Sequence, residues 1–420
     1  MQSSDPSWRR SLWLIWVALF ISNMGFSLVM PFLPLYVQTM GIAGHSVELW
    51  TGVIFAATFV SAAVALPFWG RLSDRTGRRP IMIGASIGQG LSVTLMGLAT
   101  HPWQLVALRL LLGATFGIMA ACIAYMTAIT PKKETGYMLG MIQTSVTAGS
   151  ILGPFLGGFL ASFMGYQPIF FLNGLACFIQ ATVFIFFVKE QYKAPAKKAK
   201  ETRLADDLQV VTASPTLLAM MVVVAVQCFS IMNAEPIIPL YLQTLNVPPA
   251  LLSFLSGAVF SVVGVATVMA SPYLGRMGDR VGYKRVLLIC LGGVAVMYSL
   301  QGLAGNWWEL ILFRFGQGCF AGGVFAAANA LTSVAASRSF QGRVFSLSAS
   351  AQQVGNFLGP LVGSAVAASV SFRAVFPITA LLCLANLALV WRLVPSGQIS
   401  APDDANESGE FDPTALPLGH

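Results

Sequence analysis

The stretch MPFLPLYVQTM at residues 30–40 returns as EPIIPLYLQTL at residues 235–245. Both copies keep two prolines, a Leu-Tyr pair and a closing Gln-Thr, and they differ first at Met30 against Glu235. Their offset, 235 − 30 = 205, recurs along the chain. GRLSDRTGRR (70–79) answers GRMGDRVGYK (275–284) at 205, and LRLLLG (108–113) answers FRFGQG (313–318) at 205. GSILGPFLGG (149–158) answers GNFLGPLVGS (355–364) at 206. Four landmarks in one order at nearly constant spacing make the chain two homologous halves.

Each half is apolar beyond anything a soluble domain carries. The 420 residues are 56% hydrophobic and 10% charged, with a mean hydropathy of +0.74. A soluble protein carries about 25% charged residues. Apolar runs of about 20 residues, the length a helix needs to cross the hydrocarbon core, recur from end to end. Twelve are legible: 11–37, 50–69, 81–99, 103–129, 137–162, 166–188, 216–242, 250–273, 286–304, 307–332, 345–370 and 373–394. Uninterrupted runs of this kind are helices, because barrel strands alternate. The first run is too long for a signal-peptide core and lacks a small-residue cleavage site, so it reads as a retained span. The expected organisation is a six-helix half over 1–188, a polar basic linker over 189–215, a second six-helix half over 216–394 and a disordered acidic tail over 395–420.

The net charge of +8 is a topology signal rather than a nucleic-acid signal. With the N-terminus in the cytoplasm, nearly every Lys and Arg falls in an inside segment, Arg373 alone falls outside, and Arg109 and Arg314 fall within spans. That asymmetry is the positive-inside rule; it puts both termini in the cytoplasm of a multi-pass protein of the plasma (inner) membrane. The linker is then expected to lie on the anionic inner surface. The six cysteines sit singly in apolar spans and read as small packing residues. The three histidines form no ligand cluster, and no phosphate loop or catalytic triad is present. No metal, cofactor, enzymatic activity or ATP-driven step is expected.

The motifs sharpen this into a family. Parallel six-helix repeats around a central loop resemble the major facilitator superfamily, an all-α membrane fold of twelve transmembrane helices in two pseudo-symmetric halves, with the substrate site between them. GRLSDRTGRR resembles that family's motif A, in which Gly70 and Gly77 allow a tight turn and Asp74 accepts from arginines or helix amides. The resemblance makes Gly70, Asp74, Arg75, Gly77 and Arg78 a gating latch, with Asp279 in a second copy weakened where Tyr283 replaces a basic residue. GSILGPFLGG sets Gly149, Gly153 and Gly157 on one helix face beside Pro154 and Gly158. Such a face permits close backbone approach, and the proline bends the helix. The stretch resembles motif C of drug:proton antiporters and implies export by exchange, with a tight contact about which the halves move.

Two charges lie where charge is costly. Arg109, about six residues into its span, costs about 2.5–3.5 kcal/mol on insertion scales. Its segment resembles motif B, where such an arginine takes part in proton coupling; the plain alternative is a side chain that snorkels or bonds backbone. With no acid deep in the first half, Arg109 needs neutral partners such as Asn23, or must reach across the halves. Glu235 stands twenty residues into the seventh run, before Pro236 and Pro239, which free the carbonyls of Met232 and of Glu235 itself. Broken backbone in a membrane is tolerated only against protein or a water-filled cavity. The prolines recur at Pro31 and Pro34, so they are the shared scaffold and the carboxylate is the specialisation. Glu235 is the candidate proton carrier; the plain alternative is a residue at a wet outer vestibule. Asn23, Phe26, Met30, Tyr36, Phe116, Met119, Phe229, Met232 and Arg314 are the candidate lining of a flexible apolar cavity.

The resemblance covers residues 8–394 and is nearest to twelve-helix bacterial drug:proton antiporters of the MdtG type. It implies a monomer exchanging a small amphipathic substrate for protons, in contact with membrane lipid. Two other readings stay open: a lipid or glycolipid flippase of the same fold, and a non-transporting receptor or scaffold.

Overall fold

The computed structural model describes residues 7–188, 211–212, 214–336 and 340–395. The expected linker and tail lie outside the described residues except at their edges. In chain order the helices are α1 (Ser7–Leu28), α2 (Leu33–Gln38), α3 (His45–Thr76), α4 (Arg78–Met96), α5 (Pro102–Ala114), α6 (Ile118–Ile129), α7 (Thr135–Met164) and α8 (Gln167–Phe187). The second half follows with α9 (Pro215–Ala234), α10 (Ile238–Gln243), α11 (Pro249–Val281), α12 (Tyr283–Leu303), α13 (Trp307–Ala335), α14 (Gln341–Ser369) and α15 (Phe372–Leu393). Among the described residues there is no strand.

Among the described residues, ten stretches are long and apolar enough to cross a membrane by length and composition. The two other expected spans are α4 and α14, which differ in composition and not in length. α4 has 19 residues, about 28 Å of helix at the usual rise. α14 has 29 residues but carries serines, glutamines and Asn356 along its first half. Three spans are built from two helices each. α1 and α2 part at Val29–Phe32, and α9 and α10 part at a 3-10 turn, Glu235–Ile237, as the paired prolines require. The break between α5 and α6 was not expected from the sequence. There the Trp69 indole donates to the carbonyl of Ala114, and the Thr115 hydroxyl donates to the carbonyl of Leu112 at 2.7 Å. Both bonds take carbonyls that a continuous helix would use.

Packing repeats the internal symmetry. In the first half α1 packs on α7, α3 on α5 and α4 on α8; in the second, α9 packs on α14, α11 on α13 and α12 on α15. The halves meet along two equivalent seams, α7 with α11 and α14 with α3. At the first seam a Cβ on Gly257 would strike the carbonyl of Pro154 and the backbone of Gly158. At the second a Cβ on Gly52 would strike the carbonyl of Pro360 and the side chain of Ser364. Ser261 donates across the first seam to the carbonyl of Ile151 at 2.7 Å.

One face of the bundle is sealed. A single apolar cluster there includes Leu28–Val37 of the first half and Ile237–Leu245 of the second. That cluster runs on through the second half to Val390 and Val394, but on the face carrying the chain ends it takes in no residue of the first half, and two further clusters lie there. One runs from Trp8 to Val188 within the first half, and one joins Val211, Leu217, Ala336 and Val344 of the second. The halves thus join at the far face and part toward the terminal face. On the sealed face, the repeat mates Gln38 and Gln243 hydrogen-bond each other reciprocally at 3.2 and 2.9 Å. Behind them Tyr36 donates to the carbonyls of Met96 and Ala99, and Tyr241 donates to those of Gln301 and Ala304, the same bonds in each half.

A test follows from the glycine contacts. A Cβ at Gly157 would meet the backbone of Leu28, whereas one at Gly140 would meet nothing within 4 Å. Gly157→Ala is expected to lower stability by about 1–3 kcal/mol through overpacking. Gly140→Ala is expected to leave it unchanged or raised by up to ~1 kcal/mol through helix propensity. Thermal unfolding of the two purified variants in detergent checks the contrast.

Candidate functional site

The first half holds a cavity of about 230 Å³ between α1, α4, α5, α6 and α8. Its apolar wall includes Phe26, Phe116 and Met119, and its polar lining includes Asn23, Gln89, Asn173 and Arg109. The break after α5 shapes it, since Phe116 lies in the interruption and its ring meets Phe26 edge-on at 5.3 Å. Arg109 is 1% exposed and lies over the Phe55 ring at 5.8 Å. Its Nε has no hydrogen-bond partner, and among the described residues no other charged group acts on it. Asn23 does not serve as its partner; that amide donates to the carbonyl of Leu19 at 2.9 Å. Arg109 does not reach across the halves for a carboxylate either.

The second half places its arginine in a different shell. Arg314 is 2% exposed and lies over Phe260, the repeat mate of Phe55, at 6.0 Å. It donates to Gln317 at 3.1 Å, and Gln301 donates to the same Gln317 oxygen at 3.1 Å. Gln317 in turn donates to the Tyr298 hydroxyl at 2.8 Å, which donates to the carbonyl of Ser230 at 2.8 Å. Glu235 stands at the end of α9 and opens the 3-10 turn, which packs on α14 and on α3 of the other half. Its carboxylate and the Arg314 guanidinium act on each other electrostatically. The cation coupled to Glu235 is therefore Arg314 rather than Arg109.

Gln317, Gln301 and Tyr298 escaped the sequence reading, but a signal for them exists in the repeat. Their mates at an offset of 205 are Leu112, Met96 and Val93, and the mate of Glu235 is Met30. All four are apolar, and Val93, Met96 and Leu112 line the cavity beside Arg109. Comparing the halves position by position finds one arginine in a polar shell and its twin in an apolar one.

The remaining candidates divide by place. Asn23, Phe26, Phe116 and Met119 line the cavity; Met30 and Tyr36 are buried outside its wall, with the Tyr36 hydroxyl held on carbonyls. Phe229 and Met232 pack along α14 against Gly355 and Gly359. Within motif C, Gly149, Gly153 and Gly157 meet the backbone or side chains of α1 inside their own half. Across the first seam reach Gly158, the Pro154 carbonyl, Phe155, whose ring meets Phe254 at 5.8 Å, and Ile151, which accepts from Ser261 and lies against Gly264. The contact with the other half is thus made by Ile151, Pro154, Phe155 and Gly158, and the face of Gly149, Gly153 and Gly157 is an intra-half joint.

At the terminal face, Gly77 and Gly282 both take φ of +93°, a region only glycine enters freely, and each lets a helix restart at once. Arg79 donates to the carbonyl of Ile185 at the end of α8, and its mate Lys284 donates to the carbonyls of Trp391 and Val394 at the end of α15. Cations there satisfy terminal carbonyls and complement the helix dipole. Asp279 accepts from Tyr283, so the substitution keeps a donor for the second acid. Arg78 is half-buried. Gly70 lies inside α3 and not at a turn, and the side chains of Asp74 and Arg75 are outside what the structure describes.

The sequence model of the Major Facilitator Superfamily matches residues 15–258 and 220–416. The chain belongs to this superfamily. It is 37% identical over 394 residues to the multidrug resistance protein MdtG of Proteus mirabilis (strain HI4320), covering 93% of this chain and 97% of that one. It is 34% identical over 394 residues to MdtG of Salmonella arizonae, with the same coverage of 93% and 97%. Among solved structures, a bacterial homolog of the human lysosomal transporter Spinster, in an inward-facing unoccupied conformation, gives a TM-score of 0.75 at 14% identity, over 93% of this chain and 97% of that one. The nucleoside transporter NupG gives 0.71 at 13% identity, over 90% of this chain and 98% of that one. Membership in the superfamily makes the chain a transporter, not an enzyme, and the resemblance to MdtG-type proteins holds over nearly its whole length.

The polar shell can be tested by copying the apolar half into it. Gln317→Leu reproduces Leu112 and leaves Arg314, Gln301 and Tyr298 without that partner. Stranding buried donors costs about 1–3 kcal/mol, more for a charged group, so thermal unfolding in detergent is expected several degrees below wild type. Leu112→Met, volume-conserving beside Arg109, is expected to cost less than about 1.5 kcal/mol.

Proposed function

We propose that the protein exports amphipathic compounds across the plasma (inner) membrane in exchange for protons, by alternating access of its two halves. The observation that carries this reading is Glu235. It is a carboxylate at a broken helix on the seam between halves, coupled to Arg314, where the repeat mate is Met30. Intramembrane carboxylates of this kind mark proton relays. The multidrug resistance relatives support drug efflux as the outcome; the lipid-flippase and receptor readings draw no support from them.

The positive-inside rule puts the terminal face in the cytoplasm, so the conformation described is open inward and sealed outward. Substrate enters the first-half cavity from the cytoplasmic side or the inner leaflet. Arg109, a cation with no acid beside it, favours a neutral or anionic head group over a cationic one. A proton reaching Glu235 from outside removes the charge that Arg314 faces. That weakens the link between α9 and α13 and frees the 3-10 turn to move against α14 and α3. In this cycle Gly70, Asp74, Arg75, Gly77, Arg78 and Asp279 form the inner latch, which closes when the outer seam at Gly257 and Gly52 opens. The protein works as a monomer, since each half supplies one part: the first the drug cavity and the second the proton site.

The test uses inside-out vesicles energised to an acidic lumen, with lumenal pH and ligand uptake followed together on adding neutral, anionic and cationic drugs. Wild type is expected to take up neutral and anionic compounds while the gradient drains. Glu235→Gln is expected to abolish the drain while still binding ligand. If Glu235→Gln drains the gradient as wild type does, the proton carrier lies elsewhere; if wild type responds to no drug, efflux itself loses its support.

A further inference from the structure

A second carboxylate lies at the sealed face, outside the arrangement described above. Glu48, in the first turn of α3, is 7% exposed, and its Oε2 is buried without any hydrogen-bond partner. It lines a cavity of about 360 Å³ that opens to the far face. The first half supplies Gln38, the glycine-bearing loop at Ile42–Gly44 and Glu48; the second supplies Leu240, Gln243 and Phe372. The cavity thus lies under the Gln38–Gln243 pair and spans the line where the halves meet.

Among the described residues no cation lines the cavity beside Glu48. Arg373, next to Phe372, is the one Lys or Arg at this face among the described residues, and it is held on the carbonyl of Ala304. His45, one turn before Glu48, is exposed. The helix dipole of α3 favours an anion in its first turn but leaves the buried oxygen unbonded. Leaving an anion buried and unpaired is costly, and the repeat mate of Glu48 is Ser253, so symmetry does not require a carboxylate here.

We propose that this cavity is a binding site for a monovalent inorganic cation, sodium or potassium, anchored on Glu48. Gln38 and Gln243 line it, and each amide oxygen has a second lone pair besides the one that accepts from the other glutamine. A single carboxylate with neutral oxygens balances one positive charge, whereas calcium sites draw on several charged ligands. The cavity has room for the cation with part of its water. Because the ligands come from both halves, the bound ion braces the sealed face. Binding is a property of the resting protein, so it stands or fails independently of the efflux reading.

Thermal unfolding of the full-length protein in detergent is measured in sodium, potassium or N-methylglucamine chloride at equal ionic strength. Sodium or potassium is expected to raise the midpoint by several degrees over N-methylglucamine, saturating with concentration; the ion giving the larger shift is the preferred one. Glu48→Asp is expected to keep a reduced shift and Glu48→Gln to lose it. Equilibrium binding of radioactive sodium, or of rubidium as the potassium probe, is expected to give one site per chain in wild type and none in Glu48→Gln. The proposal is overturned if wild type shows neither shift nor binding. It is equally overturned if Glu48→Gln keeps the wild-type shift and stoichiometry.

Discussion

Backbone against backbone is the constraint on which this molecule depends. At each seam a glycine of one half, Gly257 or Gly52, lies on the carbonyl of a proline in the other, Pro154 or Pro360. Dispersion falls off within about an ångström of contact, so a side chain at either glycine would part the halves there. The glycine faces of α7 and α14 press in turn on α1 and α9, the two helices that break at paired prolines. The position of Glu235 is therefore set from behind, by small residues that hold its helix close.

Much of this was legible in the sequence. The offset of 205 announced two halves, and Pro236 and Pro239 announced the break that exposes Glu235 to the seam. The basic residues after α3 and α11 announced the terminal face. What stayed hidden were features made by long-range competition for single groups. The α5–α6 break depends on an indole 45 positions away that takes one carbonyl, and no local pattern marks it. The polar shell of Arg314 is assembled from three helices, α9, α12 and α13. Gln301, Gln317 and Tyr298 are unremarkable alone, and become visible only against Met96, Leu112 and Val93. Motif C read as one tight contact between halves because spacing shows which residues share a face, not which neighbour that face meets.

The two halves have diverged in content while keeping their frame. The tyrosine bonds at Tyr36 and Tyr241 and the arginine–phenylalanine pairs Arg109–Phe55 and Arg314–Phe260 are the same in both. Around that frame one half is apolar and hollow and the other is polar and filled. One arginine faces a hollow, and its twin donates to a glutamine and feels the field of a carboxylate.

This separation bears on how such a protein adapts. The hollow is shaped by α1, α5 and α6, whereas the shell of Arg314 is built from α9, α12 and α13. A change of wall volume at Phe116 or Met119 reshapes the hollow without touching the shell of Arg314. The two arginine sites can thus diverge one residue at a time, each on its own set of helices, while the paired frame that holds both stays intact.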